Sequence, residues 1–350
     1  MKHKFITLGE ILLRLTPPDH GKIRTASVFE ACYGGSEANV ALSLANLGMD
    51  AAFFTVVPDN SLGKAAIRML KSNDVDCRPV IFASPQEAPS HRLGTYYMEN
   101  GFGIRPGKVI YDRKHSAFDE YDFSGLDMEK LLDGYTWLHV SGITPALGEK
   151  GKALVLSCLE TAREKKMTVS FDGNFRSTLW TWEEARDFCT RCLPYVQVLF
   201  GIEPYHLWKD PGEPEKGDLK DDIPLQPDRK QQDKIFRVFA ERYPNISCIA
   251  RHVRYTGSLG ENSLTAYLWM DGKTYEGRKL TFPVLDRVGG GDAFVAGVIY
   301  GLMNDFAPED TVNFGIGAGA LKHTLHGDGN ITDDADLIRR IGAMDSDIKR

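Results

Sequence analysis

The carboxyl-terminal third of the chain contains Asp286-Arg287-Val288-Gly289-Gly290-Gly291-Asp292-Ala293, which runs directly into the apolar segment Phe294-Val295-Ala296-Gly297-Val298-Ile299. Three consecutive glycines let the backbone turn its N–H groups toward one anion. The helix predicted to begin there directs the positive end of its dipole to the same point. Asp292 falls in the first turn, where a carboxylate can accept a proton from a nucleophile that attacks a bound phosphoryl group. The segment therefore indicates phosphoryl transfer.

The composition is that of an ordinary globular protein. Of the 350 residues, 42% are hydrophobic and 26% are charged, and the formal net charge is −6. We expect no nucleic-acid or membrane partner, because no overall positive field is present, and an anionic ligand must then meet local arginines. The amino-terminal residues 1–15 are interrupted by Glu10 and Arg14 and lack a signal-peptide cleavage site. We predict a cytoplasmic protein.

Strand-length apolar runs alternate with helical patterns along most of the chain. The predicted strands are Phe5–Leu8, Ala51–Val57, Trp137–Val140, Thr168–Phe171, Val196–Phe200, Ile246–Ala250 and Thr265–Met270, the last ending at the hairpin signal Asp271-Gly272. The predicted helices are Glu37–Leu47, Leu62–Lys71, Glu149–Lys166, Trp182–Cys192 and Gln231–Arg242. This alternation predicts an α/β fold with a largely parallel sheet, and ligands bind beyond the carboxyl ends of such strands.

Three segments interrupt this alternation. Residues 12–33 and 91–111 have strand-like composition and turn signals with no helix between them, so we expect them to form a small side sheet over the site. Residues 209–230 are rich in charged residues, proline and glycine, and we expect a loop whose charges face water. The length is compatible with one large domain, residues 1–350, that carries the side sheet.

A second glycine motif lies near the start of the chain, where Gly34 and Gly35 precede a predicted helix. Paired glycines let a ligand approach the backbone, and Asn39 is positioned to bind a hydroxyl. The residues alone leave a second interpretation open, in which the glycines only form a turn into an amphipathic helix whose polar stripe meets solvent.

The same motif, Gly34-x-Ser36-x-Ala38, is similar to the nucleophile elbow of hydrolases. That alternative requires Ser36 as nucleophile together with a later Asp and His323 or His326. The absence of a strong predicted strand before Gly34 argues against it, and it leaves the glycines of 289–291 unexplained.

Residues 34–39, Asp172-Gly173-Asn174-Phe175-Arg176 and the Gly-Gly-Gly-Asp of 289–292 resemble, in order and spacing, the ribokinase-like sugar kinases of the pfkB type. Residues 109–113, 141–147 and 176–180 are most similar to the 2-keto-3-deoxygluconate kinases of that family. The resemblance implies a three-layer α/β/α fold with a mainly parallel central sheet and a small β-sheet lid formed by residues 12–33 and 91–111. It also implies a sugar acid as substrate.

The resemblance implies a role for particular residues. Asp292 would be the general base for a primary hydroxyl, with the N–H groups of Gly289, Gly290 and Gly291 as the anion hole. The implied substrate-binding residues are Gly35, Ser36, Asn39, Tyr96, Tyr111, Arg113, Arg176 and Asp328. The implied nucleotide-binding residues are Asn174, Arg251, Gly289 and Gly291. Arg113 and Arg176 are the candidates for a substrate carboxylate, because a planar guanidinium holds two oxygens at once.

Two of these residues also have simpler interpretations: Tyr96 as part of the lid core, and Asp328 as a turn residue. The chain departs from the family in several places, one of which is Gly290, where alanine is common. The usual Asn-x-x-Glu metal motif reads Gly201-Ile202-Glu203, which leaves Glu203 to act on Mg²⁺ through water. The nucleotide loop is replaced by a longer passage over residues 251–262. Asp112 is an acid where relatives often have an aromatic residue, and its charge works against binding of a carboxylate.

We therefore expect an ATP- and Mg²⁺-dependent kinase that acts on 2-keto-3-deoxygluconate. The family resemblance also allows a monovalent cation and a homodimer that forms through the lid. A kinase for a neutral sugar such as fructose, ribose or a nucleoside is the first alternative, and a non-catalytic sensor of a sugar acid or nucleotide is the second.

Other functional classes fit the sequence poorly. A dinucleotide fingerprint follows an early strand and has an acid about 20 residues later, whereas Gly291 is followed at once by Asp292. The chain contains no Gly-x-x-x-x-Gly-Lys-Ser/Thr motif. Cys189 and Cys192 have metal-site spacing but no second pair, so we expect buried thiols.

Overall fold

Two layers of helices cover a mostly parallel sheet in the computed structural model, which describes residues 3–344 apart from 211, 212, 223, 225 and 257–260. The strands are β1 Lys4–Leu8, β2 Leu12–Thr16, β3 Glu30–Gly34, β4 Asp50–Phe54, β5 Val56–Pro58, β6 Ile81–Ala83, β7 Thr95–Glu99, β8 Lys108–Asp112, β9 Trp137–Ser141, β10 Thr168–Asp172, β11 Val198–Phe200, β12 Cys248–Thr256, β13 Glu261–Met270, β14 Lys273–Glu276 and β15 Leu280–Pro283. The helices are α1 Ser36–Asn46, α2 Ser61–Lys71, α3 Ala117–Glu120, α4 Met128–Leu131, α5 Glu149–Glu164, α6 Trp182–Cys192, α7 Arg229–Arg242, α8 Gly290–Met303, α9 Pro308–Lys322 and α10 Ala335–Gly342.

The central sheet has the strand order β14-β13-β12-β11-β10-β9-β1-β4, with β15 also paired to β13. Neighbouring strands in the part of this order that comprises β12, β11, β10, β9, β1 and β4 are parallel. Strand β13 pairs antiparallel with β12, β14 and β15. In this register Ser141, Asp172 and Phe200 end neighbouring strands at one edge. The predicted parallel sheet is confirmed, and its carboxyl edge brings these strand ends and the loops that follow them together.

Both faces of the sheet are buried. Successive side chains of a strand point to opposite faces, and in the central strands the side chains on both faces are apolar. Val198 and Phe200 of β11 pack into a core shared with α1, α2, α8 and α9. Leu199 between them packs into the opposite core, which α5, α6 and α7 cover. The result is the three-layer α/β/α architecture that the family resemblance implied.

A second sheet, with strand order β3-β2-β7-β8, stands apart from the central one. Its strands β2 and β3 come from residues 12–34, and β7 and β8 come from residues 95–112, so the two irregular segments do form a small sheet together. Its role as a lid, and the division of the chain into one domain carrying that lid, stay predictions.

The charged segment 209–230 differs from its prediction in one respect. Asp218 and Lys220 are buried, because the Asp218 carboxylate accepts the backbone N–H groups of Leu207 and Lys220 at 2.9 and 3.0 Å. The expectation that the charges of this segment face water is wrong for these two residues: backbone donors replace the water at Asp218, and Lys220 Nζ lies 3.9 Å from the Asp218 carboxylate.

Two sequence expectations concern other classes of site. Cys189 and Cys192 are buried free thiols in α6, as expected. Within the part of the chain that the structure describes, no helix combines the length and the apolar composition that crossing a bilayer requires.

Candidate active site

The amino termini of α1 and α8 meet at the carboxyl edge of the central sheet. They open into a cleft of about 580 Å³, which is also lined by Tyr96 and Tyr111 from the second sheet. The cleft therefore lies where ligands of open α/β sheets bind.

The glycines before α8 are required by close packing. Gly289 caps the helix with φ +81°, a left-handed conformation that favours glycine, and a Cβ there would overlap the carbonyl oxygen of Asp328. A Cβ at Gly290 would overlap the ring of His323. Because the first N–H groups of a helix have no partner within it, α8 directs unpaired donors into the cleft.

Asp292 lies in the first turn of α8 and is held from the other helix. Its Oδ1 accepts a hydrogen bond from Ser36 Oγ at 3.0 Å, and its Oδ2 accepts one from Asn39 Nδ2 at 2.7 Å. Asn174 Nδ2 in turn donates to Ser36 Oγ at 2.7 Å. Burial raises the pKa of Asp292 and outweighs the opposing hydrogen bonds from Asn39 and Ser36. A fixed carboxylate with a raised pKa is suited to accept a proton. The predicted residues Ser36, Asn39, Asn174 and Asp292 thus form one connected group.

Two further acids surround Asp292. Burial, together with the Asp292 charge, raises the pKa of Asp172 to about 7. Burial also raises the pKa of Glu37 to about 7. Glu37 is fully buried: its Oε1 accepts hydrogen bonds from Ser141 Oγ at 2.8 Å and Thr144 Oγ1 at 3.0 Å, and its Oε2 has no partner in the described residues. The sequence analysis assigned no role to Glu37, although an acid on the apolar side of a predicted helix is a signal that could have drawn attention to it.

Asp328, predicted to bind substrate, is held on both carboxylate oxygens by groups of the second sheet. Its Oδ1 pairs with Arg14 at 2.9 Å, and its Oδ2 accepts the hydroxyl of Tyr96. Arg14 also pairs with Asp286 at 2.8 Å. All four side chains are buried. Asp328 and Tyr96 line the cleft. They also connect the second sheet to the loop after α9, while Arg14 and Asp286 connect it to the loop before α8.

Arg113 lines the cleft, but its guanidinium faces Glu10. Its Nε and Nη2 donate to Glu10 Oε2 at 2.9 and 2.7 Å, and Ser116 Oγ donates to Glu10 Oε1 at 2.6 Å. Tyr111 lies beside this pair, its ring centroid 5.4 Å from the guanidinium carbon. The Arg113 guanidinium, which was predicted to bind a substrate carboxylate, therefore already binds the carboxylate of Glu10.

Arg176 is placed differently. It is exposed in the cleft, and its Nη1 donates to the backbone oxygen of Phe175 at 3.1 Å. Among the described residues no carboxylate lies within ion-pairing distance of it. Asp112, whose charge works against a bound acid, pairs with Arg92 at 2.8 Å. Arg176 is therefore free to take a carboxylate.

Arg254 and Arg287 also line the cleft, and the sequence analysis gave neither a role. His252 lies beside them, with its Cε1 3.6 Å from where a Cβ of Gly291 would be. Desolvation by the walls of the cleft, followed by the charge of Arg254, lowers the pKa of His252.

The predicted nucleotide and metal residues Arg251 and Glu203 pair with each other. Arg251 Nη2 is 3.2 Å from Glu203 Oε1, and its Nη1 donates to Gln232 Oε1 at 2.9 Å. Within the described residues, no group of three or more His, Cys, Asp or Glu side chains could hold a metal ion. The part of the 251–262 passage at 257–260 lies outside the described residues.

The structure agrees with the hydrolase alternative in having a strand before Gly34, but it provides no base for Ser36. Strand β3 ends at Gly34, so the expectation that no strand precedes this motif is wrong. Ser36 Oγ is bonded to Asp292 and Asn174, however, while His323 Nδ1 lies 2.6 Å from the carbonyl oxygen of Gly319. The geometry pairs Ser36 with no histidine among the described residues, so it does not form a nucleophile–base pair.

Comparison with known proteins places these features in context. The sequence pattern of the pfkB family carbohydrate kinases matches residues 2–205. The 2-dehydro-3-deoxygalactonokinase of Haloferax volcanii is 30% identical over 350 residues, which is 100% of both chains. The 2-dehydro-3-deoxygluconokinase of Bacillus subtilis is 28% identical, over 94% of this chain and 92% of its own. The crystal structure of the Thermotoga maritima 2-dehydro-3-deoxygluconokinase superposes with a TM-score of 0.86 at 35% identity, covering 97% of this chain and 99% of that one.

Proposed function

Because the chain belongs to the pfkB family of carbohydrate kinases, we propose that it transfers the γ-phosphoryl group of ATP to the primary hydroxyl of a small sugar acid, 2-keto-3-deoxygluconate. One observation carries the proposal: Asp292, fixed by Ser36 and Asn39 at the amino terminus of α8, shares a cleft with the unpaired guanidinium of Arg176. The first group is suited to deprotonate an alcohol beside a bound phosphate, and the second is suited to hold a carboxylate.

The chemistry follows from the positions of these groups. Asp292 accepts the proton of the substrate hydroxyl as its oxygen bonds to the γ-phosphorus and the bond from that phosphorus to the oxygen of ADP breaks. The N–H groups of Gly289, Gly290 and Gly291 stabilise the charge on the transferring phosphoryl group. Ser36 and Asn39 orient the carboxylate, and Asn174 orients Ser36. The proton ends on Asp292 and is then released to solvent.

The substrate class rests on Arg176. A neutral sugar offers no charge to balance this guanidinium, whereas a carboxylate accepts two of its N–H groups side by side. The names of the similar proteins include both the gluconate and the galactonate forms of the 2-keto-3-deoxy acid, so both are candidates. Gly35, Asn39, Tyr96, Tyr111, Arg113 and Asp328 are proposed to surround the sugar, all of them lining the cleft.

Family membership implies a nucleoside triphosphate and a divalent cation. The described residues do not fit a cage of protein ligands for that cation, because Glu203 is paired with Arg251 and no three-residue group is present. Mg²⁺ is commonly held through substrate phosphates with few protein ligands. Asn174 and Arg251 as nucleotide contacts, Glu203 as a water-mediated Mg²⁺ contact, the monovalent cation, the homodimer and the cytoplasmic location stay predictions.

The test is a coupled assay of ADP formation with MgATP and a panel of acceptors: both 2-keto-3-deoxy acids, gluconate, fructose, ribose and adenosine. We expect kcat/KM for a 2-keto-3-deoxy acid to exceed that for every neutral acceptor by at least tenfold. A neutral sugar that matches the acids would replace the substrate proposal with the first alternative. Thermal stabilisation by a sugar acid without any turnover would support the sensor instead.

A further inference from the structure

One end of the cleft carries two arginines that form no ion pair within the part of the chain that the structure describes. Arg254 projects from β12, and Arg287 lies two residues before Gly289. Both line the cleft and both are exposed within it. Among the described residues no carboxylate pairs with either, although the neighbouring Arg251 is paired with Glu203.

Such a cluster of like charges is unfavourable without a ligand. The pKa of Arg254 is lowered, first by desolvation within the cleft and then by the charges of Arg287 and Arg176. An anion placed among them removes this repulsion. Groups of like charge in a cleft are therefore candidates for ligand binding.

The position of the cluster selects the anion. The second sheet contributes Tyr96 and Tyr111 to one end of the cleft, and β12 contributes His252 and Arg254 to the other. The α8 amino terminus lies between them, since Gly291 adjoins His252 and Gly289 adjoins Asp328, whose carboxylate accepts the Tyr96 hydroxyl. In phosphoryl transfer the attacking and leaving oxygens lie on opposite sides of the phosphorus. If the sugar occupies the tyrosine end, the leaving diphosphate must occupy the β12 end.

We propose that Arg254 and Arg287 form a clamp that binds the β-phosphate of the nucleotide and stabilises the negative charge that develops on it. This inference rests on the proposed function. As the γ-phosphorus bonds to the sugar oxygen, the bond to the β-phosphate oxygen breaks and its electron pair stays on ADP. The two guanidinium groups donate N–H bonds to that oxygen and its neighbours. The clamp places fixed positive charge where negative charge increases.

The binding test uses AMP and ADP, which differ by the β-phosphate. Calorimetry on the full chain gives the ratio of the two dissociation constants for the wild type, Arg254→Gln, Arg287→Gln and the double variant. We expect each single variant to weaken ADP binding about tenfold or more with AMP changed less than threefold, consistent with loss of a charged hydrogen bond. Arg254→Lys and Arg287→Lys keep the charge and should recover part of the loss.

The control is Arg78→Gln, which removes an exposed arginine that pairs with Asp76 and lies outside this cleft. It should leave both constants unchanged. Circular dichroism and the melting temperature confirm that each variant is folded. The steady-state counterpart is a higher KM for ATP and a lower kcat, with KM for the sugar acid within about twofold.

An ADP-to-AMP ratio in the folded double variant within twofold of the wild type overturns the clamp. This outcome is separate from failure of the proposed function. If the wild type phosphorylates no sugar acid but the double variant still loses ADP binding selectively, the clamp stands and the substrate assignment fails. If sugar-acid turnover is present and ADP binding is unchanged, only the clamp fails.

Discussion

The arginines around the cleft fall into two groups that differ in what balances their charge. One group is bound to carboxylates of the chain, namely Arg14 with Asp286 and Asp328, Arg113 with Glu10, and Arg251 with Glu203. The other group has no such partner among the described residues and consists of Arg176, Arg254 and Arg287. The paired arginines are buried, whereas the unpaired ones are exposed in the cleft.

The difference distinguishes arginines that stabilise the fold from arginines that are available to bind a ligand. A buried guanidinium must be paired because its lost hydration has to be replaced, and removing one partner leaves an uncompensated charge. An exposed guanidinium keeps its water until a ligand displaces it. The same residue type therefore holds the second sheet to the central one at Arg14 and is available to bind an anion at Arg176.

The largest effect is expected at Asp292, which lies in the same cleft as the unpaired arginines and takes part in the reaction itself. Asp292→Asn should lower kcat by about 10³-fold, since the amide cannot accept the proton. ADP binding should change less than about threefold. Initial rates and calorimetry measure the two effects.

Asp271→Asn is the matched control, because Asp271 lies in the turn between β13 and β14, away from the cleft. It should retain full activity. If Asp292→Asn keeps more than a tenth of the wild-type kcat, Asp292 is not the base.

Arg14 tests the paired group. Arg14→Met should lower the free energy of unfolding by about 3–5 kcal/mol, because Asp286 and Asp328 lose their shared buried partner. Denaturant titration measures the change.

The exposed pair of Arg78 and Asp76 is the comparison, and Arg78→Met should lower the free energy of unfolding far less than Arg14→Met does. Equal losses in the two variants would show that burial does not distinguish the paired arginines.

Arg176 tests the unpaired group. Arg176→Ala should raise KM for 2-keto-3-deoxygluconate by about 10- to 100-fold, because a charged, two-bond contact is lost. KM for a weakly used neutral sugar should change less than about threefold. Arg176→Lys should fall between, since it keeps the charge and loses the planar geometry.

Arg113→Lys is the experiment to compare with Arg176→Ala, because Arg113 belongs to the paired arginines. Because Arg113 faces Glu10, we expect its substitution to affect stability more than the preference for acids. If Arg113→Lys abolishes that preference and Arg176→Ala does not, the two groups are assigned the wrong way round.

Glu37 extends the comparison to acids, because it is buried and its Oε2 has no hydrogen-bond partner among the described residues. Its pKa is raised from 4.5 to about 7, so the folded state keeps a proton that the unfolded state releases. Wild-type stability from this group is therefore present below about pH 4.5 and is lost as the pH rises toward 7. Glu37→Gln lacks this loss and should gain on the order of 2 kcal/mol relative to the wild type between pH 5 and pH 8.

Unfolding free energies at several pH values measure the Glu37 effect, with the exposed Glu30→Gln as control. A difference between Glu37→Gln and the wild type that does not vary with pH would contradict the assignment.

The sequence predicted the elements with local signals. Predicted helix Glu37–Leu47 corresponds to α1, and Asp271-Gly272 is the turn between β13 and β14. The glycines of 289–291 were informative because their packing admits no Cβ at 289 or 290. These features depend on backbone geometry and short-range periodicity, which neighbouring residues determine.

The features that the sequence did not predict depend on distant partners. Glu10 and Arg14 read as polar breaks in an apolar segment, but Glu10 meets Arg113 103 residues away and Arg14 meets Asp328 314 residues away. Strand β12 was predicted to end at Ala250, yet it continues to Thr256 because it pairs antiparallel with β13 along its whole length. Arg251 and Val253 are buried, and His252 and Arg254 face the cleft. This alternation could have identified Arg254.

The most direct test of the account is a crystal structure with a non-hydrolysable ATP analogue and 2-keto-3-deoxygluconate. We predict the γ-phosphate at the amino terminus of α8 beside Asp292, the β-phosphate between Arg254 and Arg287, and the substrate carboxylate on Arg176. A γ-phosphate bound away from Gly289–Gly291, with the sugar hydroxyl out of reach of Asp292, would contradict it.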